Sequence, residues 1–156
     1  TEEESLMAER PKEMDDFLCE PRVGRFGSVN ADGSPHVVPF VFLFDPEEGT
    51  FFVSTKAASV TTRNLRRNSA VSVCVDDGEY PFRAVVVDGE AQVSEPTGTD
   101  HEAQKKLVDH FYGPDMWAEW VTTPRAREIR IRLTVVPKKW TWWDQRRKLK
   151  GSVSID

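Results

Sequence analysis

Residues 23–54 carry three apolar segments of strand length, separated by two turns too short for a crossover, and this limits the chain to consecutive antiparallel strands. Val23-Gly24-Arg25-Phe26-Gly27-Ser28-Val29 reads as the first strand, with small residues where another backbone must pass closely. Asn30-Ala31-Asp32-Gly33 follows, and these residue types tolerate the positive φ that tight hairpins need. His36 to Phe44 reads as one long apolar strand interrupted at Pro39. Proline cannot donate to a ladder, so that point is a bulge, an edge or a ligand-facing position. Asp45-Pro46-Glu47-Glu48-Gly49 makes the next turn, and Thr50 to Ser54 is the third strand.

The rest of the chain continues the pattern. Ser59 reads as the N-cap of a helix from Val60 to about Asn68, whose basic residues fall where the helix dipole favours them. Ala70 to Asp76 is a fourth strand. Phe82 to Val87 and Gly89 to Ser94 are two further strands, or one bent strand with a bulge near Gly89. Thr99 or Asp100 caps a helix to about Tyr112, with Leu107, Val108 and Phe111 inward, and a short aromatic helix follows at Met116 to Val121. From Arg127 to Val136, Ile129, Ile131, Leu133 and Val135 alternate with Arg130, Arg132 and Thr134, the signature of a half-buried strand. The sum is about six strands with two or three helices in the connections: a meander or Greek-key barrel, not a doubly wound sheet. Three segments are expected: residues 1–20 as a helical segment interrupted at Pro11, with Leu6, Met14, Phe17 and Leu18 as its apolar stripe, packing on the barrel; residues 21–145 as the barrel; and residues 146–156 as a basic tail.

Charge narrows the partners. The 156 residues carry 21 basic and 26 acidic side chains, a net charge of −5, which argues against nucleic acid as the main partner. The acidic N-terminal and basic C-terminal segments read as solvated surfaces. No apolar run approaches membrane-spanning length and no signal-peptide pattern opens the chain, so a soluble, cytoplasmic protein without membrane partners is expected. Cys19 and Cys74 are far apart and have no metal-ligand spacing; Cys74 reads as a structural thiol. No His/Cys/Asp cluster has zinc spacing and no Ser-His-Asp arrangement can be argued, so no metal and no protein nucleophile is expected.

The candidate site lies where the third strand gives way to a helix. Ser54, Thr55 and Lys56 close the strand, Ser59 opens the helix, and Arg63 and Asn64 follow in its first turns. Backbone N–H groups at a helix start, with hydroxyl and cationic side chains beside them, suit a phosphate. Each residue also has a plainer reading. Lys56 alone is a solvated turn lysine, Arg63 can face the protein's own carboxylates, and Arg66 and Arg67 read as exposed helix charges. His36 reads as a strand residue facing solvent or a loop, the alternative being a proton donor beside a bound ring. Trp140 and Trp142 suit a dimer interface or the rim of a flat cofactor, and Trp117 and Trp120 cover either a cleft or the core.

The order Asp32-Gly33-Ser34-Pro35-His36-Val37-Val38-Pro39, then Ser54-Thr55-Lys56, then Ser59 with Arg63-Asn64-Leu65-Arg66-Arg67-Asn68 and Val71-Ser72-Val73, then Gly89-Glu90-Ala91-Gln92-Val93, resembles the pyridoxamine 5'-phosphate oxidase-like split-barrel superfamily. Within it, the chain looks most like the flavin and deazaflavin oxidoreductases, over about Phe17 to Trp143. The resemblance implies a mainly β (α+β) fold, a six-stranded antiparallel split barrel of the FMN-binding type, assembled as a homodimer with cofactors in shared clefts. It implies FMN or the deazaflavin coenzyme F-420, and hydride transfer to or from a flat conjugated small molecule. Carried over by position, Val38, Pro39, Phe40 and Val41 lie along the ring; Ser54, Thr55 and Lys56 hold the phosphate end; Ser59, Thr61, Thr62, Arg63 and Asn64 complete that pocket; and Trp142 borders the ring. The chain departs from the family at Thr61, where many relatives place Lys or Arg, a loss on the order of 1.5–3 kcal/mol that the Thr61 and Thr62 hydroxyls offset in part. In this fold the cofactor carries the chemistry and the protein binds, orients and excludes water. The rival readings are a non-catalytic flavin, haem or pigment carrier or sensor on the same barrel and, more distantly, a barrel that binds single-stranded nucleic acid through its aromatics.

Overall fold

The computed structural model describes residues 10–146. In chain order the elements are α1 (Lys12–Cys19), β1 (Val23–Val29), β2 (Pro35–Val41), β3 (Leu43–Asp45), β4 (Thr50–Lys56), α2 (Val60–Arg67), β5 (Ala70–Asp77), β6 (Arg83–Val93), α3 (His101–Tyr112), α4 (Trp117–Trp120), a 3-10 turn (Pro124–Arg127) and β7 (Arg130–Asp144). All seven strands form one antiparallel sheet, ordered β2-β1-β5-β6-β7-β4-β3.

The two edge strands, β2 and β3, are separated in sequence by Phe42 alone. One bent segment therefore pairs with β1 on one side and with β4 on the other, and the sheet must curl to allow it. This gives seven strands where six are expected. His36 to Phe44 is broken at Phe42, whose buried ring packs against Phe26 and Phe51, and not at Pro39. Pro39 sits in β2 opposite Arg25, on an edge where a missing N–H is tolerated.

The inward faces of the strands make the core: Phe26, Phe51, Val53, Val73, Val75, Val85, Leu133 and Val135 are almost wholly buried. Three buried residues of α1, Met14, Phe17 and Leu18, join it. The Phe17 ring carries the Arg22 guanidinium 3.9 Å from its centroid and the Arg83 guanidinium at 4.9 Å. Helix α1 starts directly after Pro11; residues 1–9, Leu6 among them, and the basic residues Arg147, Lys148 and Lys150 lie outside the described residues. Helix α2 opens at Ser59, whose Oγ accepts the Thr62 N–H at 3.0 Å, and Leu65 inserts into the core.

Residues 82–94 form the single bent strand β6, its register shifted between Asp88 and Gly89. Strand β7 is much longer than its alternating part. It runs on through Trp140, Trp142 and Trp143, pairing with β4 from Arg130 to Val135 and with β6 from Leu133 to Asp144. Ile129 precedes it and is 52% exposed, whereas Arg130 is 8% exposed, which inverts the expected burial of these two residues. The reason is that the chain enters β7 from the 3-10 turn, so Ile129 lies before the pleat begins. No helix among the described residues is long and apolar enough to cross a membrane.

Candidate functional site: a cleft with a cationic end

A cleft of about 780 Å³ opens between β2, the end of β4, the start of α2 and one side of α3. This is within the size range of small-molecule sites. Strand β2 contributes His36, Val38, Pro39, Phe40 and Val41, and β4 contributes Ser54, Thr55 and Lys56. Ser59 and Thr61 come from the start of α2, and Gln104, Leu107 and Phe111 from α3. Arg125 and Arg130 also line it.

The cationic end follows from strand register. Lys56 and Arg130 are cross-strand partners on β4 and β7, so two positive side chains leave the same face side by side. Like charges opposite each other are unfavourable unless an anion lies between them. Glu128 supplies part of that charge, with its Oε1 2.9 Å from Lys56 Nζ. Arg130 is less well served: Nη2 donates to the Arg125 carbonyl at 2.8 Å and Nη1 to the Ser54 carbonyl at 3.4 Å, while the buried Nε has no partner. Burial lowers the Arg130 pKa from the usual arginine value; Glu128 opposes this and Arg125 adds to it. Ser54 Oγ is also buried without a partner. A buried polar group left unpaired is costly, so two of them in one cationic cleft mark a place for an oxygen-rich anion.

The structure brings most of the expected residues to this cleft and leaves four elsewhere. Thr62 is buried, its hydroxyl donating to the Lys56 carbonyl at 2.8 Å, which ties α2 to the end of β4. Asn64 turns inward, where Nδ2 donates to Ser28 Oγ at 3.1 Å and Asn30 Oδ1 at 2.9 Å; it clamps the helix to the first hairpin. Arg63 is exposed on α2 and Trp142 packs on Phe17, ring centroids 5.5 Å apart; neither lines the cleft. Trp140 likewise packs on Phe44 and Phe51. Arg125, Arg130, Gln104, Leu107, Phe111 and Tyr112 line the cleft and were missed by sequence reasoning. Strand alternation placed Arg130 on the polar face of β7; the register of β7 on β4, which sets it beside Lys56, is a tertiary fact.

The sequence profile of pyridoxamine 5'-phosphate oxidase matches residues 11–140. This chain belongs to that family. Among solved structures, a conserved hypothetical protein of Mycobacterium tuberculosis superposes on this family member with a TM-score of 0.74 at 26% identity, covering 94% of this chain and 92% of that one. An F420 reductase superposes with a TM-score of 0.66 at 25% identity, covering 81% of this chain and 94% of that one. A curated relative, the 5a,11a-dehydrotetracycline/5a,11a-dehydrooxytetracycline reductase of Streptomyces rimosus subsp. rimosus, is 40% identical over 88 residues, which is 53% of this chain. The match spans 61% of that relative's length. The oxidase-family barrel explains why the cleft sits outside the curled sheet: the barrel interior is filled by side chains, and only the surface between sheet and helices can admit a ligand.

Proposed function

We propose that this chain is an oxidoreductase that binds FMN or the deazaflavin coenzyme F-420 and passes hydride between that cofactor and a flat conjugated small molecule. The observation that carries the reading is the pairing, in one cleft, of a cationic end holding two unpartnered buried polar atoms with an apolar stretch along β2. The group fits: Arg130 Nε and Ser54 Oγ are free to hold phosphate oxygens, Lys56 and Arg125 add charge, and Val38 and Phe40 offer an apolar bed for a ring. The names of the Streptomyces reductase and the F420 reductase support the same class of chemistry.

The bound cofactor supplies the hydride chemistry. The chain's residues hold and orient it. Thr62 and Ser59 fix the first turn of α2 against the end of β4, so the backbone N–H groups there keep their direction. Leu107 and Phe111 exclude water from the apolar stretch. No carboxylate is needed as a proton donor in this scheme; the proton comes from solvent.

A homodimer belongs to the same proposal. Val37, at 63% exposure, lies on edge strand β2, and Val60, at 40%, lines the cleft; a second copy seated there removes both from water. The test is the absorption spectrum and native mass of the purified protein, followed by titration with FMN and with F-420. A coloured dimer, or micromolar affinity for one of the two, is expected. Colourless monomer with affinity for neither overturns the reading.

A further inference from the structure

The cleft has a second end, and it is aromatic. Asp100, at the N-terminus of α3, bonds to Arg132, and Arg130 donates its backbone N–H to Gly98, so the first turn of α3 stands at the cationic end. Phe111 and Tyr112 lie at the far end of the same helix, about 10 Å beyond Gln104 at roughly 1.5 Å per residue. Trp120 from α4 joins them, its ring centroid 6.2 Å from that of Tyr112 and inclined by 32°.

Three observations set these rings apart from ordinary core residues. Helix α4 has no buried residue, so Trp120 adds little to the hydrophobic core. Tyr112 is 49% exposed although it lines the cleft. Trp120 is also held in place: its Nε1 donates to Gln104 Oε1 at 3.0 Å, and Gln104 Nε2 donates to the Thr99 and Ala126 carbonyls at 2.6 and 3.3 Å. Gln104 is 3% exposed, so a buried amide has its hydrogen bonds directed to fixing one indole at the cleft wall.

We infer that Trp120, fixed by Gln104, and Tyr112 beside it form an aromatic wall that selects planar, fused-ring substrates. Rigid aromatic side chains give large contact area with little loss of conformational freedom, and flat ligands stack on them. The two ring centres are 6.2 Å apart and their planes are inclined by 32°. A single six-membered ring covers one of them, whereas two or three fused rings reach both. The inference rests on the oxidoreductase reading for the word substrate, but the binding it states does not depend on turnover.

Acridone, a neutral tricycle, is the probe, and 4-pyridone is its single-ring counterpart. Both are titrated into the protein as purified and after saturation with FMN or F-420. The parent is expected to bind acridone at least ten-fold more tightly than 4-pyridone, with or without cofactor. Tyr112→Ala and Trp120→Leu are each expected to weaken acridone binding about ten-fold and to leave cofactor affinity unchanged. Tyr112→Ala removes an exposed ring, so it keeps the test valid if Trp120→Leu fails to fold. Unchanged acridone affinity in Tyr112→Ala, equal affinity for the two probes, or competitive displacement of acridone by the cofactor overturns the inference. A protein that binds acridone through Tyr112 but holds neither cofactor overturns the redox reading and leaves the wall standing.

Discussion

Arg132 donates two hydrogen bonds to Asp100, from Nε at 2.8 Å and from Nη2 at 2.9 Å, and so fastens β7 to the start of α3. The same carboxylate accepts the Ala103 N–H, and Asp100 does this from a left-handed backbone conformation, φ 49°. Asp100 thus joins the buried residues of α3 and the Gln104 hydrogen bonds in holding that wall of the cleft. The Arg132 hydrogen bond holds the Asp100 carboxyl below the usual carboxylate range, against the opposing effect of burial. A folded-state value below the unfolded one means the contribution is complete above about pH 3.9 and is lost as pH falls through the folded value. Asp100→Asn keeps the cap and the backbone preference but loses the charged pair. It is expected to lower stability by about 0.5–1.5 kcal/mol near neutral pH, because the Arg132 side chain is 40% exposed and the Asn oxygen still accepts from it. The gap to the parent should close in acid. Urea midpoints at pH 7 and pH 3 check this, and a gap of the same size at both would refute it.

Arg130 should separate stability from binding. Its guanidinium is buried, one N–H is unpaired, and its cross-strand neighbour is another cation. An apolar side chain of similar length removes the cost of burying the cation and its repulsion by Lys56, which offsets the donors lost to the Ser54 and Arg125 carbonyls. Arg130→Met is therefore expected to keep or raise the melting temperature. Phosphate-ester affinity should fall by about ten-fold or more, the worth of one charge-assisted hydrogen bond. Calorimetric titration with FMN, beside a thermal melt, reads both. A destabilised variant with unchanged affinity would show that Arg130 is structural.

Lys56 and Glu128 make opposite contributions to the same seat. Their ion pair is half-exposed, so it adds at most about 1 kcal/mol to stability. Lys56→Ala should melt near the parent temperature, bind cofactor much more weakly and, once saturated, turn over at nearly the parent rate. Glu128→Gln frees Lys56 for an incoming anion and should tighten binding. The ratio of dissociation constants to saturated rates decides it; a variant at Lys56 with parent affinity would remove this residue from the site.

How far the sequence could be read follows the range of the forces involved. The hairpin at Asn30 to Gly33, the Ser59 cap and the bulge at Gly89 depend on neighbours in the chain, and each is visible in the residues themselves. The break at Phe42 was not visible, because it is forced by packing on Phe26 and Phe51 from other strands. Asn64 shows the limit most plainly. Its place in the first turns of α2 suggested a ligand contact, yet the helical period carries it to the inner face, where Ser28 and Asn30 claim its amide. Arg130 shows the converse. Alternation assigns a residue to a face of a strand, but it says nothing of which helix or loop then covers that face.

Gly89 offers a test of the bulge that lets β6 bend around the barrel. A Cβ added there would collide with the Val136 carbonyl oxygen and stand 3.0 Å from Pro137 Cα, and both obstacles are backbone. Neither can rotate away, because Val136 pairs with Glu90 and Pro137 with Gly89 across the register shift. Gly89→Ala must therefore push β6 and β7 apart where both turn the barrel's corner. Overpacking of this kind costs about 1–3 kcal/mol. A fall in melting temperature of several degrees is expected, roughly 2–12 °C for a domain of this size. Ser72 and Asp88 flank the same bend on its exposed side. Ser72→Ala removes an exposed hydroxyl contact there without touching the backbone, and it should melt within about a degree of the parent. Equal melting temperatures for Gly89→Ala and Ser72→Ala would mean that the two strands have room to part, and that the bend does not need a glycine.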